Sequence, residues 1–304
     1  MTFNGENLKQ SLNSSSPSSP SSSLSSTSLD GLLNRTITVE LQKPTDHHEN
    51  QLLTTIPNRS KKYATTLNHF EKQCISELQS ALAACFLVEH SLPCAGHFAS
   101  LTEAYNWPAV YSKRVSRFCR SLPAFNALPS FSDQLVILRS AYLYVLSLRA
   151  FFAYDHSLGG YYILADEAGT ESLFLSASLA EGHYKGEWIE ESNRMLRQFQ
   201  GVMESDEVIR DLLIGFFLFR GSPLYKKCSP QSLELVSYQQ QRYLRLLYRY
   251  LVHKWANLKV AGERYSAILK VVETFEELTA RSKVLLQEVD VSLFSDLLKE
   301  IYEL

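Results

Sequence analysis

Phe118-Cys119-Arg120-Ser121-Leu122-Pro123-Ala124-Phe125-Asn126-Ala127-Leu128, a break, then Asp133-Gln134-Leu135-Val136-Ile137-Leu138-Arg139 running on to Leu148-Arg149 decide the fold. Upstream, Tyr111, Val115, Phe118, Cys119 and Leu122 share one side of a helix expected over 108–122. Lys113, Arg117 and Arg120 form a separate row, Pro108 sits near the expected first turn, where its missing N–H costs nothing, and Pro123 ends the helix. From Asp133, the residues Leu135, Leu138, Tyr142, Val145, Leu146 and Leu148 leave almost no polar face. That pattern predicts a core helix sandwiched between two layers. At the far end, Phe294, Leu297, Leu298, Ile301 and Tyr302 recur at helical spacing, with Asp296, Lys299 and Glu300 opposite and Ser295 available as N-cap.

These two stretches resemble the nuclear receptor ligand-binding domain. The first is similar to the family's Phe-Ala-Lys-x-Leu-Pro-Gly-Phe-x-x-Leu, Asp-Gln-Φ-x-Leu-Leu-Lys and Leu-Arg sequence (Φ apolar), and Leu297-Leu298-Lys299-Glu300-Ile301-Tyr302 resembles its activation helix, Φ-Φ-x-Glu-Φ-Φ. The resemblance covers 63–304. It implies an all-α, three-layer antiparallel helical sandwich with one small β-hairpin around an interior cavity. The implied function is ligand-responsive control of transcription in the nucleus, with a small lipophilic ligand in place of any cofactor. Arg120, Leu135, Arg139, Leu297, Leu298 and Glu300 would form a groove for coactivator or corepressor helices, whose partly positive N-terminus faces Glu300 and whose carbonyls face Arg120. Arg149, Phe118 and Leu148 are the expected ligand-binding residues, Arg149 alternatively serving as a structural hydrogen-bond donor. Two departures stand out: the break from Leu128 to Asp133 is one residue longer than the family's, and Tyr144 replaces a glutamate common in receptors that pair with the retinoid X receptor.

Composition sets limits that agree. A 45% hydrophobic, 20% charged chain of 304 residues with net charge −2 has the makings of a globular core and no global attraction to nucleic acid or acidic membrane. The family's zinc-binding cysteines have no counterpart before Cys74, so no direct DNA contact is expected from this chain. Five scattered cysteines without a Cys-x-x-Cys pair suggest neither a zinc module nor a disulfide framework, and no signal peptide or membrane span is expected. Catalytic motifs and metal-ligand spacings are lacking, which argues against an enzyme.

Ser11 to Ser28 holds twelve serines and two prolines, too little apolar area to offset the entropy of ordering, so 1–62 is expected to be a disordered Ser/Pro-rich tail and hinge-like segment. Arg59-Ser60-Lys61-Lys62 is a weak import candidate. Leu67, Phe70, Cys74, Leu78, Ala81 and Leu82 predict a first helix, broken at Leu92-Pro93. Tyr161-Tyr162-Ile163-Leu164 and Leu173-Phe174-Leu175 predict the hairpin. Helices follow over 188–203, 208–219 (closed by Gly221-Ser222-Pro223), 230–255 and 263–289. In the last, Tyr265, Ile268, Leu269, Val272, Phe275 and Leu278 predict a surplus apolar row available for a homo- or heterodimer with another receptor. A rival expectation is a ligand-independent dimerisation or coregulator-sequestering protein whose cavity is filled by its own side chains.

Overall fold

Asn68 starts the first helix with a capping box: its side chain accepts from Glu71 N at 2.8 Å while the Glu71 carboxylate accepts from Asn68 N at 2.8 Å. The computed structural model describes residues 66–86, 89–177, 179, 186–220 and 227–302. The expected 1–62 tail, the domain start at Tyr63, the basic run near Arg59 and the Gly221-Ser222-Pro223 stop lie outside the described residues.

Helix α1, His69–Cys85, buries Cys74, Leu78, Ala81 and Leu82. Phe70, expected on that face, is 61% exposed with the Arg242 guanidinium over its ring, because three- and four-residue spacings admit a residue at the margin of the stripe. A 3-10 turn, Glu89–Ser91, and a short strand β1, Cys94–His97, follow. Helix α2, Leu101–Val110, begins at Ser100, whose hydroxyl accepts from Glu103 N, and α3 is Ser112–Ser121. Thus Pro108 is in the last turn of α2, not the first turn of a 108–122 helix. Proline lacks the N–H that would continue the ladder and crowds the preceding carbonyl; Tyr111 N bonds back to Pro108 O at 3.0 Å in a tightened last turn, and the next helix starts with Val115 N donating to Tyr111 O.

After the one-turn helix Pro123–Asn126, α4 spans Phe131–Phe152, capped by Ser130. It buries Ile137, Ala141, Tyr142, Val145, Leu146 and Leu148, and packs on α3, on the sheet and on the helices of residues 186–203, 207–218, 258–287 and 296–302. Among the described residues α4 is the one helix long and apolar enough to cross a membrane, and Ile137, Ala141, Tyr142, Val145, Leu146 and Leu148 of it are buried in this core.

Strands β2 (Tyr154–Asp155), β3 (Gly160–Leu164) and β4 (Ser172–Ser176) come next. The expected hairpin is β3 with β4, registered Tyr161 against Leu175 and Leu164 against Ser172. It belongs to a larger sheet, ordered β1-β4-β3-β2, with β1 parallel to β4. Gly160 has no room for a side chain, since a Cβ there would lie 2.4 Å from Leu175 O and 2.5 Å from the Phe174 ring.

Four helices follow: α5 (Gly186–Met203), α6 (Glu207–Leu218), α7 (Pro230–Trp255) and α8 (Leu258–Gln287). A last 3-10 turn, Val291–Leu293, leads to α9, Asp296–Tyr302. Helix α6 is enclosed almost entirely, packing on α1, α4 and α7. It meets α7 at Gly215, where a Cβ would stand 2.6 Å from the Tyr243 ring. Helix α8 packs on α4, α5 and α7, and α9 on α2 and α4. The protein is therefore mostly helical with a small four-stranded sheet.

One polar tie crosses this core. The buried Asp133 carboxylate accepts from Ser229 Oγ at 2.8 Å and Ser232 Oγ at 2.6 Å, joining the first turn of α4 to the start of α7, where Ser229 is itself the N-cap. The Ser232 hydroxyl, with Ser229 and against the effect of burial, holds the Asp133 carboxyl below its ordinary range. A carboxyl lowered on folding stabilises above its unfolded pKa of about 3.9, and that contribution is lost as pH falls through the folded value. Asp133→Ala should therefore lose about 1–3 kcal/mol at neutral pH, by leaving two hydroxyls without their acceptor. Urea denaturation should find the deficit shrinking below about pH 4, and a deficit independent of pH would contradict this role.

Candidate functional site

The terminal helix is anchored by apolar burial and by polar contacts to α2. Leu298 is fully buried beside Tyr105, Leu286, Phe294 and Tyr302, and the rings of Tyr105 and Phe294 lie 5.2 Å apart. The Asn106 side chain donates to Leu293 O at 2.6 Å and accepts from Ser295 N at 2.7 Å. On the outer face, Glu300 forms an ion pair with Arg139 of α4. Leu297, one helical turn before Glu300 and on its face, is 41% exposed.

The expected groove residues are thus partly assembled. Arg139 and Glu300 are directly paired, Leu297 is exposed, Leu298 belongs to the interior, and Leu135 is half-buried. Arg120 is exposed in the last turn of α3. Its carbonyl accepts from Asn126 Nδ2 at 2.7 Å.

Beneath α9 lies a cavity of about 210 Å³. Its walls come from almost every layer: Tyr105 from α2, Ser147 from α4, Ile163 from β3, Ser192 from α5, Thr279 from α8 and Tyr302 from α9. The expected ligand-binding residues do not line it. Phe118 and Leu148 are fully buried in the main core, Phe118 against Phe86 at 5.8 Å between ring centroids. Arg149 donates to both oxygens of the buried Glu89, at 3.1 and 3.3 Å, and its guanidinium stands 4.1 Å over the Phe86 ring.

Glu89 also accepts from the Tyr111 hydroxyl at 3.1 Å, and that hydroxyl accepts from Leu164 N at 3.1 Å. Burial, reinforced by the Glu89 charge, raises Tyr111 far above the ordinary phenol range and keeps it a donor. The Arg149 charge thus meets a carboxylate within the chain, and the chain of bonds ties β3 to α4. A second cleft of about 270 Å³ adjoins Arg149 and Glu89, together with Arg210 and Asp211. Its charges are engaged with one another, Arg210 Nε lying 2.9 Å from Asp211 Oδ1, which leaves it less suited than the smaller, more apolar chamber to an outside ligand.

The sequence pointed to Tyr302 as part of an apolar row but not to the cavity. The small polar residues Ser147, Ser192 and Thr279, each set in an apolar helical face, were the available signal. Likewise, the apolar row on α8 is no surplus: Tyr265, Ile268, Leu269, Val272, Phe275 and Leu278 are all buried in the core. A 3.6-residue period marks a face that is covered, and it does not say by what.

Glu89→Gln should cost about 2–4 kcal/mol in chemical denaturation, since it leaves the largely buried Arg149 without its counter-charge. Binding of an apolar probe in the 210 Å³ cavity should not change. Loss of probe binding in a still-folded Glu89→Gln protein would place Arg149 in the ligand site after all. No family model matches the chain, and no curated protein matches it.

Proposed function

We propose that this chain is a ligand-responsive transcription regulator of the nuclear receptor ligand-binding type, acting in the nucleus without touching DNA itself. One observation carries the reading: Tyr302, in the terminal helix, is both part of that helix's buried anchor and part of the cavity wall. A small lipophilic molecule in the cavity would complete the surface on which the helix rests, and so bias it toward the docked position. The packing of α4 and α6 between α1 and α3 on one side and α7 and α8 on the other supports a three-layer arrangement.

The docked helix presents Leu297 and Glu300 outward, with Arg139 held against Glu300 and Arg120 exposed at the end of α3. An exposed apolar residue between fixed charges of opposite sign suits the apolar face and dipole of a coactivator or corepressor helix. Pairing with a second copy or a related receptor would use the exposed Leu233 and Tyr238 of α7 and Leu258 and Val284 of α8. The alternative reading, a self-filled protein that sequesters coregulators, draws on the Phe151, Phe199, Phe217 and Phe275 rings packed edge to face beside the cavity. A cavity below the usual 300–1,000 Å³ of ligand sites also favours it.

Fluorescence anisotropy with a labelled Leu-x-x-Leu-Leu peptide tests the groove. Glu300→Lys and Arg120→Glu should each weaken binding by about tenfold or more, because each presents the wrong sign to a helix end. Melting temperatures should barely move, as both residues are exposed and the Glu300–Arg139 pair contributes at most about 1 kcal/mol. Unchanged peptide affinity in both variants would leave α9 a purely structural element.

A further inference from the structure

We infer that the 210 Å³ cavity takes a compact, uncharged molecule, apolar over most of its surface, with a single hydroxyl or carbonyl group held at Ser192. This rests on the cavity being a ligand site, as proposed above, but not on what the terminal helix does when it is filled.

Size comes first. An apolar cavity of about 150 Å³ accommodates one benzene, so 210 Å³ suits a fused pair of rings and is too small for a long chain or a four-ring skeleton. Charge comes second. Among the described residues, the wall contains no Lys, Arg, His, Asp or Glu. The nearby cation that would attract a carboxylate, Arg149, lines other spaces and is bonded to Glu89. A carboxylate or ammonium entering this chamber would shed its water with no counter-charge to replace it.

Orientation comes third. Ser192 is 8% exposed and its Oγ has no hydrogen-bond partner among the described residues, although buried hydroxyls are ordinarily bonded. Ser192 is part of the cavity wall, with Asn193 beside it on α5 and the buried Thr279 of α8 also in the wall. A ligand hydroxyl can donate to Ser192 Oγ or accept from it, and a ligand carbonyl can accept. The rest of the molecule would lie against Leu143, Phe151 and Leu286.

Calorimetry and thermal shift with naphthalene, naphthol and naphthoate separate these arguments, because the three share one ring system. Naphthol should bind most tightly, naphthalene more weakly, and naphthoate not measurably. Ser192→Ala should weaken naphthol by about tenfold, the worth of one buried hydrogen bond, and leave naphthalene unchanged. Ser147→Leu, which adds bulk to the α4 part of the wall, should abolish binding of both while circular dichroism reports an intact fold. Naphthoate binding as well as naphthol, no binding of either neutral probe, or a Ser192→Ala variant that binds naphthol normally would each overturn the inference. Naphthol binding that depends on Ser192 yet leaves the Leu-x-x-Leu-Leu peptide affinity unaltered would sustain the inference and count instead against the transcriptional reading.

Discussion

A helix enclosed on most of its circumference has almost no water in which to leave a charge, and α4 carries three charged residues: Asp133, Arg139 and Arg149. Each is met by a different part of the chain. Asp133, in the first turn, takes the hydroxyls at the start of α7; Arg139, on the open side, takes Glu300 of α9; Arg149, in the last turn, takes Glu89 of the turn after α1. The rest of the fold hangs on these ties. A buried charge tolerates little displacement of its partner, so the two buried ties, at Asp133 and Arg149, fix where α7 and the region following α1 stand around α4. Apolar packing supplies the bulk of the stability, while the charged ties choose among the ways the same helices could pack.

The ties differ in strength, and the difference bears on function. Asp133 and the Arg149–Glu89 pair are buried, whereas the Arg139–Glu300 pair is largely exposed, with 35% and 60% of the two side chains open to solvent. An exposed pair contributes about 0.2–1 kcal/mol, against about 1.5–3 kcal/mol for burying a Leu or similar side chain. Retention of α9 is therefore governed by Leu298 and Tyr302 on its inner side more than by the ion pair on its outer side. Tyr302 borders the cavity, so on the proposed reading its share of that burial is the quantity a ligand would alter. On that reading, the weakest of the three ties lies on the element whose anchor a ligand would complete.

Much of the helical fold was legible because the sequence punctuates it. Pro230 and Trp255 bound α7 as expected, with Ser229 as its cap, and the near-continuous apolar run after Asp133 reads as a core helix. The β3–β4 hairpin was legible from its flanking turns. Strand β1 was not, since Cys94–His97 is short and mostly exposed, and its partner Ser172 is far along the chain. Pro108 misled because it is tolerated at either end of a helix, and the Ser100 cap that settles the matter lies eight residues earlier. For the site, Glu300 and Arg139 could be named from pattern but their direct pairing could not, and the cavity depends on side chains from seven elements that no local period connects. Arg149 was recognisable as a buried cation in need of a partner, while Glu89, standing alone after an apolar helix, carried no mark that it was the partner.

The coupling of cavity to terminal helix is the central claim, and hydrogen exchange of the α9 backbone measures it most directly. From Leu298 onward the amides of α9 are hydrogen-bonded, Leu298 N and Lys299 N both donating to Ser295 O at 3.0 Å, so their exchange reports undocking and fraying of the helix. With naphthol at saturation these amides should exchange about tenfold more slowly or less, while those of α1, remote from the cavity wall, keep their rates. Unchanged exchange in α9, with the cavity demonstrably occupied, would contradict the account.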